Sequence, residues 1–151
     1  MRPLLLALAL TLVACDDDNT GPVPAAPEGY PYAYATNACG PTDGPATRLY
    51  LSAEVSDSLP TTAPRVEVLV YRSAADLQGE EFGWSGYSEE GWAGRCPGEG
   101  ACEEASRVSV QFRRNAADTV LAGAVRVRFP DGSTVSGGFD ATWRRTTYLC
   151  G

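Results

Sequence analysis

From Thr47 onwards the chain alternates apolar and polar residues with a period of two. Leu49, Leu51, Ala53 and Val55 face one way while Arg48, Tyr50, Ser52 and Glu54 face the other, which predicts a half-buried strand. A turn-rich patch from Ser58 to Pro64 ends it. Val66, Val68 and Val70 then alternate with Glu67, Leu69 and Tyr71, predicting its partner strand. A third strand is expected over residues 107–114, with Val108, Val110 and Phe112 inward and Ser109, Gln111 and Arg113 outward. Near the C-terminus Val125, Val127 and Phe129 alternate with Arg126 and Arg128, and Pro130-Asp131-Gly132-Ser133 turns the chain. Proline fixes φ and glycine accepts a positive one, so this segment predicts a hairpin. Its return arm places Val135, Gly137, Phe139, Ala141 and Trp143 on one face. Helical signal is confined to one turn at Ala74–Gln78. Together these segments predict an all-β domain of five to six short antiparallel strands, a β-sandwich or small barrel.

Residues 79–105 depart from this pattern. Seven glycines are interleaved with Phe82, Trp84, Tyr87 and Trp92, and acids recur in pairs at Glu80-Glu81, Glu89-Glu90 and Glu103-Glu104. Long loops in compact domains tend to be functional or disordered, and aromatics argue against disorder. Trp84, Tyr87 and Trp92 are therefore the candidate ligand-binding residues. They could form a platform for a sugar ring, with the carboxylates accepting hydroxyl hydrogen bonds, or anchors inserted into a partner protein. A third reading sets two carboxylates to work as acid and base on a glycoside. A fourth folds the aromatics back as a lid over one end of the domain.

Composition narrows the chemistry. Twelve arginines face 19 acidic residues, a net charge of −7, with no lysine and no histidine. A chain this acidic is repelled by nucleic acid and by anionic membrane surfaces. Without histidine it can build no Ser-His-Asp triad, no Cys-His dyad and no His-ligated zinc site. Four cysteines follow Cys15, and none forms a pair at zinc-ligand spacing; no metal or cofactor is expected. An even count reads as two disulfides with three possible connectivities. Only Pro97-Gly98-Glu99-Gly100-Ala101 separates Cys96 from Cys102, which predicts that these two pair. Cys39 and Cys150 then join the start of the domain to its end. A loop that long is worth about 4–5 kcal/mol in the chain-entropy picture, and the short one about 2 kcal/mol.

The N-terminus carries Arg2 and then an apolar run from Leu4 to Val13, ending in Leu12-Val13-Ala14-Cys15. The run is a secretory signal, too short for a permanent membrane span. Its Leu-Val-Ala-Cys ending resembles the lipobox of bacterial lipoproteins. The resemblance implies cleavage before Cys15, lipidation of Cys15, and a stable anchor in the cell envelope through two or three acyl chains. Asp16, Asp17 and Asp18 follow at once. An aspartate there is associated with inner-membrane retention in enterobacteria, and an acidic run near this position with surface export in another phylum, so both leaflets stay open.

The expected organisation is thus a signal peptide at 1–14, a lipidated, acidic and Pro-rich tether at 15–38, and one disulfide-bonded β-domain at 39–151. As a polyproline-like chain the tether could reach on the order of 70 Å. Lipobox, acidic tether and disulfide-bonded β-domain together resemble the small lipoproteins of bacterial envelopes. The function expected is a non-enzymatic module that binds an envelope glycan or protein through residues 79–105. The alternatives are a carboxylate-based glycoside hydrolase and a purely structural envelope lipoprotein.

Overall fold

The computed structural model describes residues 24–114, 120–147 and 150. Cys15, the aspartates after it and the signal segment lie outside the described residues. Nine strands are described: β1 (Tyr32–Cys39), β2 (Pro45–Ser52), β3 (Arg65–Val70), β4 (Glu81–Trp84), β5 (Gly91–Cys96), β6 (Glu103–Glu104), β7 (Arg107–Phe112), β8 (Val120–Arg128) and β9 (Thr134–Trp143). They form one curled half-barrel sheet in the order β4-β7-β8-β9-β1-β2-β3-β5-β6. The all-β expectation holds, but one nine-stranded sheet replaces the five to six strands and the two-layer sandwich.

The hairpin forms where the turn chemistry puts it. Arg128 faces Thr134 across the turn, Gly132 has a positive φ, and the Phe129 and Ser133 backbones hydrogen-bond across the loop. β2 and β3 pair antiparallel as their matching alternation implies. The single helical turn is a 3-10 turn over Ala74–Leu77, with Leu77 fully buried. Inward side chains fill the half-barrel with one apolar cluster that includes Leu49, Leu51, Val66, Val68, Val110, Phe112, Leu121, Val127 and Phe139. Phe112 meets Phe82 and Phe139 edge-on.

Two expectations need correction. Residues 32–38, read as the end of the tether, form most of β1, a central strand between β2 and β9. Their side chains are small or aromatic, so the apolar contrast that marks a strand is weak. Ahead of β1, the Ala25 carbonyl accepts a hydrogen bond from Gly138 N–H at 2.7 Å, along the stretch of β9 that β1 does not reach. Residues 79–105 are also no open loop, because they carry β4, β5 and β6. The glycines that hid these strands make room for close neighbours. A Cβ on Gly91 would meet the Leu69 carbonyl, and one on Gly94 would come within 2.6 Å of Trp92 Cζ2.

The segment from β6 to β7 bends at Ala105-Ser106 and touches both ends of the sheet. Glu103 and Glu104 pair with β5, whereas Arg107–Phe112 pairs with β8. Both disulfides join the predicted partners: Cys39 to Cys150, 111 residues apart, and Cys96 to Cys102.

Candidate functional site

The three aromatics singled out in the sequence do not share a surface. Trp84 points inward from β4, is only 7% exposed and belongs to the main core. Its buried indole N–H finds no acceptor among the described residues. Alternation along β4 explains this, since Phe82 and Trp84 share the inward row. Trp84 is therefore corrected from candidate ligand contact to core residue. Trp92 and Tyr87 lie elsewhere. Trp92, half-buried, stands opposite Leu69 on the outer face of β5 and lies along Gly94. Tyr87, in the turn before β5, is 60% exposed and tilts against Tyr71 with ring centroids 6.4 Å apart.

Tyr71 takes the place that Trp84 vacates. Tyr71 and Trp92 pack on the same small cluster of Ala38, Ala46 and Leu69 on the outer side of the sheet. Burial pushes the Tyr71 hydroxyl up to about 12, a hydrogen bond with Tyr87 adds to the shift, and the Arg48 charge opposes it. Tyr71, Tyr87 and Trp92 thus form an outer aromatic patch edged by the exposed Glu89 and Glu90. The sequence signal for Tyr71 was its outward phase beside Leu69; what hid it was the need to know that β3 pairs with β5.

Beside this patch the outer face of β3 is covered. Glu67, expected to face outward, and Arg65 in the same row are each 7% exposed. Arg65 Nε donates to Glu67 Oε1 at 2.7 Å. Its Nη1 donates to the carbonyls of Ala63 at 3.2 Å and Gly98 at 3.0 Å. Gly98 sits in the Cys96–Cys102 loop, so Arg65 holds that loop down against the sheet. Arg48 Nη1 stands 3.7 Å from Glu67 Oε2. Glu67, Cys96 and Cys102 come close enough together to suggest metal ligands. The two sulfurs are bonded to each other, however, and so offer no thiolate.

The three acid pairs lie on different elements. Glu81 opens β4, Glu89 and Glu90 sit in the turn before β5, and Glu103 and Glu104 make β6. Glu103 is engaged by Arg95, which also reaches Asp131 at 3.0 Å and lies 4.4 Å over the Phe129 ring. Hydrogen bonds from the Ser133 hydroxyl and N–H, with Arg95 beside them, bring Asp131 down to about 2. This cluster caps the turn end of the half-barrel.

A second outer surface escaped the sequence reading. Arg107 on β7 stands directly opposite Arg128 on β8, and Arg126 lies two residues along the same face opposite Ser109. All three are exposed. With Ser109, Gly132 and Thr134 they line an open concavity of about 870 Å³. No carboxylate among the described residues lies within ion-pair distance of any of them. The outward phase of Arg126 and Arg128 was visible in the hairpin pattern. That Arg107 falls opposite Arg128 required the β7–β8 register.

The chain matches no family model, no curated protein and no solved structure.

Proposed function

We propose that this chain is a non-enzymatic envelope module, anchored through a lipid on Cys15, that holds a glycan on the aromatic patch of Tyr71, Tyr87 and Trp92. The observation that carries the reading is the exposed ring of Tyr87, 60% accessible, tilted against Tyr71 on the same outer face as Trp92. An exposed ring beside two half-buried ones favours a flat apolar ligand face, and a sugar ring offers one rimmed with hydroxyls. The exposed Glu89 and Glu90 in the same turn as Tyr87 would accept hydrogen bonds from those hydroxyls. A binding role is favoured over hydrolysis because the acid pairs are spread over separate elements and Glu103 is already paired to Arg95. Among the described residues an apolar cluster of side chains fills the half-barrel interior.

The test is titration of the purified chain with soluble fragments of bacterial envelope glycan, followed by affinity electrophoresis. Tyr87→Ala combined with Trp92→Ala should weaken binding about tenfold while preserving the cooperative melt. Trp84→Phe, a change inside the core, should leave affinity untouched. No binding by the unaltered chain, or equal binding by the double variant, rules the reading out. Capture of a protein in place of a glycan would move the patch to protein recognition.

A further inference from the structure

We propose that the arginine face of β7 and β8 rests on the phosphate headgroups of the bilayer that holds the chain. This rests on the reading of Cys15 as the lipid anchor and adds an orientation to it. Two independent observations meet on the same surface.

The first is charge. Arg107 and Arg128 stand directly opposite each other, with Arg126 next along the same face. Like charges in cross-strand register oppose folding rather than favour it. None of the three has a carboxylate within ion-pair distance among the described residues. Asp131, near the same turn, is committed to Arg95 and Ser133. In a chain of net charge −7, three cations on one face with no carboxylate partner among the described residues form a ready site for an external anion. Guanidinium forks match phosphate oxygens in shape as well as charge.

The second is the route of the chain. Pro24, the first described residue, shares a shallow depression with Ser109, Gln111, Arg126, Ser136 and Gly137. Pro24 thus stands at the margin of the outer face, next to Arg126, while the Ala25–Pro27 backbone that follows lies against Gly137 of β9. Pro24 follows Cys15 by so few residues that even a fully extended chain between them spans only about 30 Å. A tether of that length keeps the margin at Pro24, and the arginines beside it, within reach of the lipid. Nearby charges of the opposite sense are Glu81, which lines the same depression as Pro24, and Asp140 further along β9. Beyond about 8 Å at physiological salt the other carboxylates of the chain are screened. Repulsion of the whole acidic chain by an anionic surface, expected from net charge, is thus replaced at this face by local attraction. Each basic side chain at such a surface strengthens contact about fivefold, so three give on the order of a hundredfold.

The experiment uses the full chain isolated from membranes of an expressing bacterium. The mass of its N-terminal peptide first reports whether Cys15 is acylated. The protein is then mixed with or reconstituted into vesicles of phosphatidylcholine alone, or of phosphatidylcholine with phosphatidylglycerol, and its arginines are footprinted with phenylglyoxal. Arg107, Arg126 and Arg128 should be protected severalfold by the phosphatidylglycerol vesicles, with Arg72 as the unchanged exposed control. Protection should fade as salt is raised. Equal labelling in both vesicle types overturns the proposal. So does equal protection by free glycerol phosphate, which would make the ligand a soluble phosphate. Protection in phosphatidylcholine that vanishes in D16N/D17N/D18N also overturns it, by making the chain's own acidic run the occupant. An unacylated N-terminal peptide refutes the anchor alone; phosphatidylglycerol-dependent protection on added vesicles still supports the face.

Discussion

β3 and β8 are both interior strands with an apolar row facing the same core, yet their outward rows have opposite fates. In β3 every residue is buried, including Arg65 and Glu67. In β8 the arginines at 126 and 128 stand in solvent while Val125 and Val127 are covered. The difference is what lies over the sheet. Trp92, lying along Gly94, and the Cys96–Cys102 loop, held by Arg65, blanket the β3 side. Nothing among the described residues pairs with the arginines of β8. One half of the sheet has thus used its polar row as internal fastening, and the other half leaves its polar row in solvent.

Three substitutions probe that contrast. The largest effect is expected from Glu67→Ala, which leaves Arg65 buried without its carboxylate. Removing one member of a buried pair costs about 3–5 kcal/mol, to be read from the urea denaturation midpoint. A loss below about 1 kcal/mol would mean that the pair behaves as a surface salt bridge and that the cover over β3 is loose. A smaller effect is expected from Gly94→Ala. The added methyl would press on Trp92 Cζ2 at 2.6 Å and on the Glu103 carbonyl at 3.1 Å. Overpacking of this kind costs about 1–3 kcal/mol, and the near-ultraviolet circular dichroism of Trp92 should change with it. The smallest effect has the opposite sign. Arg128→Thr removes the charge facing Arg107 and should stabilise the fold by about 0.2–0.5 kcal/mol at low salt, the gain shrinking as salt rises. A clear destabilisation would show that the bare face is structural.

The same contrast explains what could be read before the fold was known. Alternation located β2, β3, β7 and the hairpin because their inward rows are strongly apolar. It misjudged Tyr50 and Glu67 because a period of two reports two faces but not whether something covers the second. The hairpin was legible from Pro130-Asp131-Gly132, where local chemistry dictates the turn. The Cys96–Cys102 bridge was legible from its short spacing. β4, β5 and β6 were not, since Gly83, Gly91 and Gly94 interrupt the pattern for reasons visible only in three dimensions. Of the candidate aromatics, Tyr87 and Trp92 lie on the surface, whereas Trp84 belongs to the core and Tyr71 replaces it. The arginine face was half legible: its phase lay in the sequence, its convergence in the strand register.

The position of β1 governs when this domain can come into being. Its two neighbours are β2, which follows it at once, and β9, the last strand described. On the edge away from β2, Tyr34 and Ala35 pair with Thr142 and Trp143, and Cys39 finds its disulfide partner across 111 residues. A chain emerging N-terminus first therefore holds an early strand with one open edge until nearly all of it has appeared. Contacts so distant along the chain form slowly, and an open strand edge invites pairing with other molecules. A molecule truncated ahead of Thr134 would be left with that edge exposed.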